Sequence, residues 1–220
     1  MTQTKGYKGM AMEGPIANWY ANSTGKNTSR QEAPARLIAG RLPPGAQVLE
    51  IAPGPGYFAI ALARLGFRVT GLDISQSFVD IARRNADAAG VDAEFRLGNA
   101  SAMPFDDASF DATSCQAAFK NFSEPVRAIA EMYRVLKPGG FAHIQDLRRD
   151  ATPEGITREV ASMQLGALDR WFTRFTFDHL LLKSAYSVAA MRAMIAQTPF
   201  ETGEFTLDDI GFDLILRKVD

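Results

Sequence analysis

Val48-Leu49-Glu50-Ile51-Ala52-Pro53-Gly54-Pro55-Gly56 is an apolar strand that breaks into a glycine and proline bend. A run of helical character follows at 57–65, then a second strand at 68–72 that delivers an acid, Asp73. Strand, glycine bend, helix, strand and acid, in that order, is how an open parallel sheet holds a nucleoside. Bare backbone at Gly54 and Gly56 lets a ligand approach where a side chain would block it. The carboxylate of Asp73 suits the two hydroxyls of a ribose.

The kind of nucleoside follows from Glu50. The dinucleotide fingerprint G-x-G-x-x-G is missing, and an acid ends the first strand instead. A carboxylate there repels a pyrophosphate and suits a ligand with a cationic end, such as the ammonium and sulfonium of S-adenosylmethionine.

Composition narrows the class. With 220 residues and a hydrophobic fraction of 46%, the chain is expected to fold as one domain with a full core. A net charge of -1 argues against a broad basic face for nucleic acid. One cysteine and two histidines argue against a disulfide framework or a metal site. The first residues lack the apolar run of a leader and no stretch reaches membrane-spanning length, so a cytoplasmic location is expected, with no membrane span.

Outward from the bend, strands are expected at 47–51, 68–72, 93–97, 110–116 and 140–147, with helices at 57–65, 76–89 and 124–135. That alternation predicts a doubly wound parallel sheet. Ser75 is placed to cap the helix that carries Phe78, Val79, Ile81 and Ala82. Before the sheet, 15–22 and 29–41 read as helices; after it, 152–168, 171–182 and 187–197 do, the last with a serine cap. Two strand-like runs, 204–207 and 212–217, close the chain. The expected organisation of the domain 1–220 is an N-terminal helical segment to 45, a ligand-binding core at 46–147, a helical cap at 150–198 and a closing hairpin at 199–220.

The segment 50–56 resembles motif I of the class I S-adenosylmethionine-dependent methyltransferases, E/D-x-G-x-G-x-G, with Ala52 in the first glycine position. The extra methyl is tolerable there with a negative φ. Gly98-Asn99-Ala100-Ser101-Ala102-Met103-Pro104-Phe105 is similar to the family's G-D-A-x-x-L-P-F, with Asn99 for Asp, and Arg134-Val135-Leu136-Lys137-Pro138-Gly139-Gly140 to its R-V-L-K-P-G-G turn. The stretch 119–140 looks most like the ubiquinone and menaquinone C-methyltransferases and their small-molecule relatives.

The resemblance implies a Rossmann-like α/β fold whose seven-stranded sheet ends in an antiparallel seventh strand. It implies S-adenosylmethionine as cofactor, S-adenosylhomocysteine as product and a small molecule as partner. It places Glu50, Ala52, Gly54, Gly56, Asp73, Ile74, Asn99, Ala100, Gln116 and Ala117 around the cofactor. Asn99 either accepts from the adenine amine or only forms a turn.

Methyl transfer by in-line displacement asks chiefly for alignment, and for a base only with certain acceptors. The candidates are Asp146, Lys120 and His179. Asp146 is either base or anchor, or it pairs with Arg148 or Arg149. Lys120 either overhangs the site or lies on the surface, and His179 faces substrate or solvent. His143 reads as a satisfied core histidine. Tyr7, Met12, Trp19, Tyr20, Phe119, Trp171 and Phe175 either wall an apolar pocket or pack the cap. Two other readings stand beside the methyltransferase one. A cofactor-binding protein that does not transfer methyl is allowed by the same motifs. A nicotinamide-dependent oxidoreductase shares the glycine turn and the ribose acid, but its third motif glycine is missing here, and it does not predict the Lys137-Pro138-Gly139-Gly140 turn or the closing hairpin.

Overall fold

The computed structural model describes residues 6–8, 12–25, 30–162, 174 and 181–219. Its centre is a seven-stranded sheet of order β3-β2-β1-β4-β5-β7-β6. The strands are β1 (Gln47–Ile51), β2 (Arg68–Asp73), β3 (Ala93–Leu97), β4 (Phe110–Gln116), β5 (Leu136–Leu147), β6 (Glu204–Leu207) and β7 (Gly211–Arg217). β1 to β5 pair in parallel, whereas β7 runs antiparallel between β5 and β6. The expected fold and the reversed last strand are therefore both observed.

Among the described residues, the helices of eight residues or more are α1 (Gly14–Thr24), α2 (Glu32–Ala39), α3 (Tyr57–Arg64), α4 (Gln76–Ala89), α5 (Pro125–Val135), α6 (Pro153–Ser162) and α7 (Val188–Ile195). Their ends follow local chemistry. Ser75 Oγ accepts the Phe78 amide at the start of α4, and Gly90 ends that helix at φ 64°. Ser187 caps α7 in the same way, through the Ala190 amide. Pro125 opens α5, where its missing N–H costs nothing.

Strand alternation splits the core in two. Leu49, Ile51, Cys115 and Ile144 face α5 and α7, through Ile129, Met132 and Met191. Val48, Val69, Ala112 and Phe141 face α2 and α3, through Ile38, Phe58 and Leu62. A sheet buried on both faces keeps its polar opportunities at the ends of its strands. Among the described residues, no helix is long and apolar enough to cross a membrane.

Several expected boundaries shift by one to three residues, the expected helices at 152–168 and 171–182 lie partly outside the described residues, and the widest departure is at β5. β5 begins at Leu136, not at 140, and its pairing with β4 shifts register between Phe110 and Ala112. The Lys137-Pro138-Gly139-Gly140 turn is thus a bulge within the strand. Gly139 has φ 74°, and a Cβ on Gly140 would lie 2.8 Å from the Asp111 carbonyl.

Candidate active site

The carboxyl ends of β1, β2 and β4 meet around the glycine bend. Asp73, 5% exposed, joins two of its sides: Oδ2 accepts the Gly54 amide at 3.0 Å and Oδ1 accepts the Ser75 amide at 2.9 Å. One carboxylate therefore sets both the bend and the exit of β2. Burial lifts its pKa to about 6, against the amides of Ser75, Gly54 and Ile74. Glu50, 4% exposed, lies at the end of β1, and its Oε2 has no partner among the described residues. Burial pushes Glu50 up to about 8; the Ala59 amide opposes the shift and the charge of Asp73 adds to it. Two buried acids, one with an unpartnered oxygen, form a site that gains from a cation.

The bend itself is strained. Gly54 and Gly56 have φ 54° and 81°, and Ala52 has φ 56°. The expectation of a negative φ at Ala52 is thus overturned: its amide is fixed on the Leu72 carbonyl at 2.8 Å, which holds the residue in the left-handed region despite its methyl. The two glycines also differ. Among the described residues, a Cβ on Gly54 meets nothing within 4 Å, whereas one on Gly56 would lie 2.9 Å from Ala82 and from Phe95. Open space over the bend belongs to Gly54; the bare backbone of Gly56 lets α3 pack on α4 and β3.

Ile74, 43% exposed, follows Asp73 at the rim. Asn99 Oδ1 accepts the Ser101 amide at 2.9 Å, so the turn role is observed. Ala100 packs against the core. At the end of β4, Gln116 Nε2 is buried without a partner, and Ala117 has φ 55° with its amide on the Gln145 carbonyl.

Asp146 and Lys120 come together and are both consumed. Lys120 Nζ donates to Asp146 Oδ1 at 2.8 Å and to the Ala117 carbonyl at 2.7 Å. The amides of Lys120 and Leu147 donate to the two oxygens of Asp146. With side-chain exposures of 9% and 2%, the pair is buried and holds the loop after β4 onto β5. Neither group is free to act as a base, Lys120 is not a surface residue, and Arg148 pairs with Asp150 instead of Asp146. His143 is a satisfied core residue, between Ser114 Oγ at 3.1 Å and Asp213 Oδ1 at 2.8 Å.

The expected walls separate. Phe119 is fully buried against Phe122 and Tyr186, so it supports the site from below and is not a wall. Trp19 is 68% exposed on α1. Tyr20 packs edge-on against Phe78, and Met12 lies against the same cluster. Tyr7 pairs antiparallel with Phe122 at the rim. Trp171, Phe175 and His179 lie outside the described residues.

One feature at the rim has no local signature. The Glu13 carboxylate accepts the amides of Gln76 and Ser77, both at 3.1 Å, at the start of α4. Ser75 Oγ donates to the Met12 carbonyl at 2.6 Å. These contacts span more than sixty residues of sequence, beyond the reach of any capping pattern. They fasten the segment before α1 to the edge of the site.

The donor set fits the cofactor that the resemblance implies: an unpartnered buried carboxylate oxygen for its cationic end, and clear space over Gly54 for its approach.

Residues 49–144 match a family model described as a methyltransferase domain. The demethylmenaquinone methyltransferase of Deinococcus radiodurans is 41% identical over 96 residues, which cover 43% of this chain and 40% of that protein. The chain thus spans well under half the length of that relative. The demethylmenaquinone methyltransferase of Chlorobaculum parvum is 38% identical over 166 residues, covering 72% of this chain and 67% of that protein. A solved structure from Methanococcus maripaludis, described as a putative S-adenosyl-L-methionine-dependent methyltransferase, superposes with a TM-score of 0.72 at 22% identity, over 100% of this chain and 98% of that one. The last is a likeness of fold. These findings do not favour the nicotinamide-dependent or the non-transferring reading.

Proposed function

The chain belongs to the class I S-adenosylmethionine-dependent methyltransferases, and from that premise we propose that it transfers a methyl group to a small, apolar or aromatic metabolite by in-line displacement. The observation that carries the reading is the pairing of Asp73 with the Gly54 amide beside the unpartnered oxygen of Glu50. Bound there, S-adenosylmethionine supplies an activated methyl and its own leaving group.

The chain's residues then bind and orient. Glu50 faces the ammonium end, and Gly54, with Ala52 and Gly56 shaping the bend, presents bare backbone. Asp73 accepts from the ribose. Ile74, Asn99 and Ala100 border the adenine; the free lone pair on the Asn99 oxygen is available to its amine. Gln116 and Ala117 meet the methionine part from the end of β4. Met12 and Tyr20 belong to the wall beside α4. The Lys120–Asp146 pair holds the loop over which the acceptor enters, so it positions the site without touching the reaction. Alignment of nucleophile, methyl and sulfur is the main contribution to rate.

Tritium transfer from methyl-labelled cofactor into a panel of phenols and reduced naphthoquinones tests the proposal, with labelled organic product as the expected outcome. Titration calorimetry accompanies it. Binding of NADH with no binding of S-adenosylmethionine would sink the reading.

A further inference from the structure

The segment ahead of α1 lies across the carboxyl edge of the sheet as a strap. Lys8 N–H donates to the Asn121 carbonyl at 2.7 Å, and the Ser123 amide donates to the Gly6 carbonyl at 3.3 Å. Together with the antiparallel pairing of Tyr7 and Phe122, these bonds add a short strand to the loop after β4. On the other side, Gly6 presses against the exits of β2 and β3. A Cβ there would lie 2.7 Å from Ile74 Cδ1 and 2.8 Å from the Asn99 side chain. Lys8 Nζ reaches the Tyr186 hydroxyl at 2.9 Å. Tyr7 thus stands between the ribose acid and the buried Lys120–Asp146 pair.

We propose that Tyr7 is a cofactor-contact residue, its phenol facing the sulfonium from the strap, and not a wall for the acceptor molecule. The inference rests on the methyltransferase reading of the cleft. A nucleoside held by Asp73 carries its sulfur on the 5′ carbon of the ribose. The side of Asp73 that faces the β4 and β5 exits, where the methyl must be delivered, is the side that Tyr7 covers. The electrostatics agree with that placement. Burial raises the phenol pKa, and the charges of Asp73, Tyr20 and Asp146 add to the rise, so the hydroxyl stays neutral. A neutral aromatic ring offers its electron-rich face to a cation without adding another buried charge beside Glu50 and Asp73.

S-adenosylmethionine and S-adenosylhomocysteine differ by one methyl and one positive charge, which makes their affinity ratio a direct readout. It needs no acceptor. Both ligands are titrated calorimetrically into the wild-type protein, Tyr7→Leu and Tyr7→Phe, with far-UV circular dichroism confirming the fold; Tyr7 lies outside the described hydrophobic core clusters. In Tyr7→Leu the preference for the sulfonium should fall roughly three- to tenfold. Affinity for the thioether should stay within about twofold, and Tyr7→Phe should lie between wild type and Leu. A ratio unchanged in Tyr7→Leu overturns the proposal, as does an equal loss for both ligands, which would make the strap only a cover. If the wild-type protein binds neither ligand, the methyltransferase reading itself fails, an outcome distinct from both.

Discussion

Two parts of the same sheet edge treat their buried acids in opposite ways. At the β4 and β5 exits, Asp146 receives Lys120 Nζ and two backbone amides, and nothing is left over. At the β1 and β2 exits, Glu50 keeps an oxygen with no donor, and the space above Gly54 is clear. The first arrangement is complete in the protein alone. The second, on the proposed reading, is completed by a ligand. Burial by itself does not separate structural from functional acids; the accounting of their hydrogen bonds does.

The largest expected effect breaks the closed side. Lys120→Met leaves Asp146 buried without its counter-charge and should cost about 3–5 kcal/mol of stability. Urea unfolding measures the loss, and cofactor affinity of the folded protein should change little. Asp73→Ala breaks the open side: affinity for S-adenosylmethionine should fall by about 1.5–3 kcal/mol, roughly tenfold to more than a hundredfold in Kd by calorimetry. Unchanged affinity would remove the ribose assignment.

A pH series sharpens the contrast. Glu50 titrates near 4.5 when unperturbed and at about 8 in the folded, ligand-free protein. The folded state therefore holds a proton that the unfolded state has lost. Stability should decline as pH rises from about 4.5 to about 8, by at most roughly 1.4 kcal/mol per pH unit from this group. A cation that binds ionised Glu50 reverses the trend for binding: affinity should rise with pH up to about 8, by up to about tenfold per unit. Glu50→Gln should flatten both slopes above about pH 6, below which Asp73, lifted to about 6, adds its own share; a slope that survives above about pH 6 would assign the titration elsewhere. The smallest effect lies in the bend. Ala52→Gly relieves the left-handed penalty and should stabilise by about 1 kcal/mol, seen as a rise of roughly 2–4 °C in Tm.

What could be read from sequence was what is local. Ser75 announces itself as a cap because its partner, the Phe78 amide, is three residues away. The β1 bend and the Asp73 exit are legible because alternation and glycine spacing act over short windows. The Lys120–Asp146 pair is not, since it joins positions 26 residues apart whose approach depends on β4 and β5 lying side by side. Glu13 on α4 is further still beyond local reading. The sign of φ at Ala52 followed the family pattern of a glycine, not the habit of alanine; the tertiary bond from its amide to Leu72 decides it. Phe119 shows the limit for aromatics: the sequence gives apolar area, and packing decides whether it lines a site or lies beneath one.

The reversal of the last strand carries a consequence for synthesis. β6 pairs with β7 and with no other described strand, while β5 offers its free edge to β7. Until residues 211–217 are made, a nascent chain displays the flank of β5 as an open template and leaves 204–207 with nothing to join. That interval exposes the chain to aggregation, and a ribosome pause just before Gly211 would lengthen it.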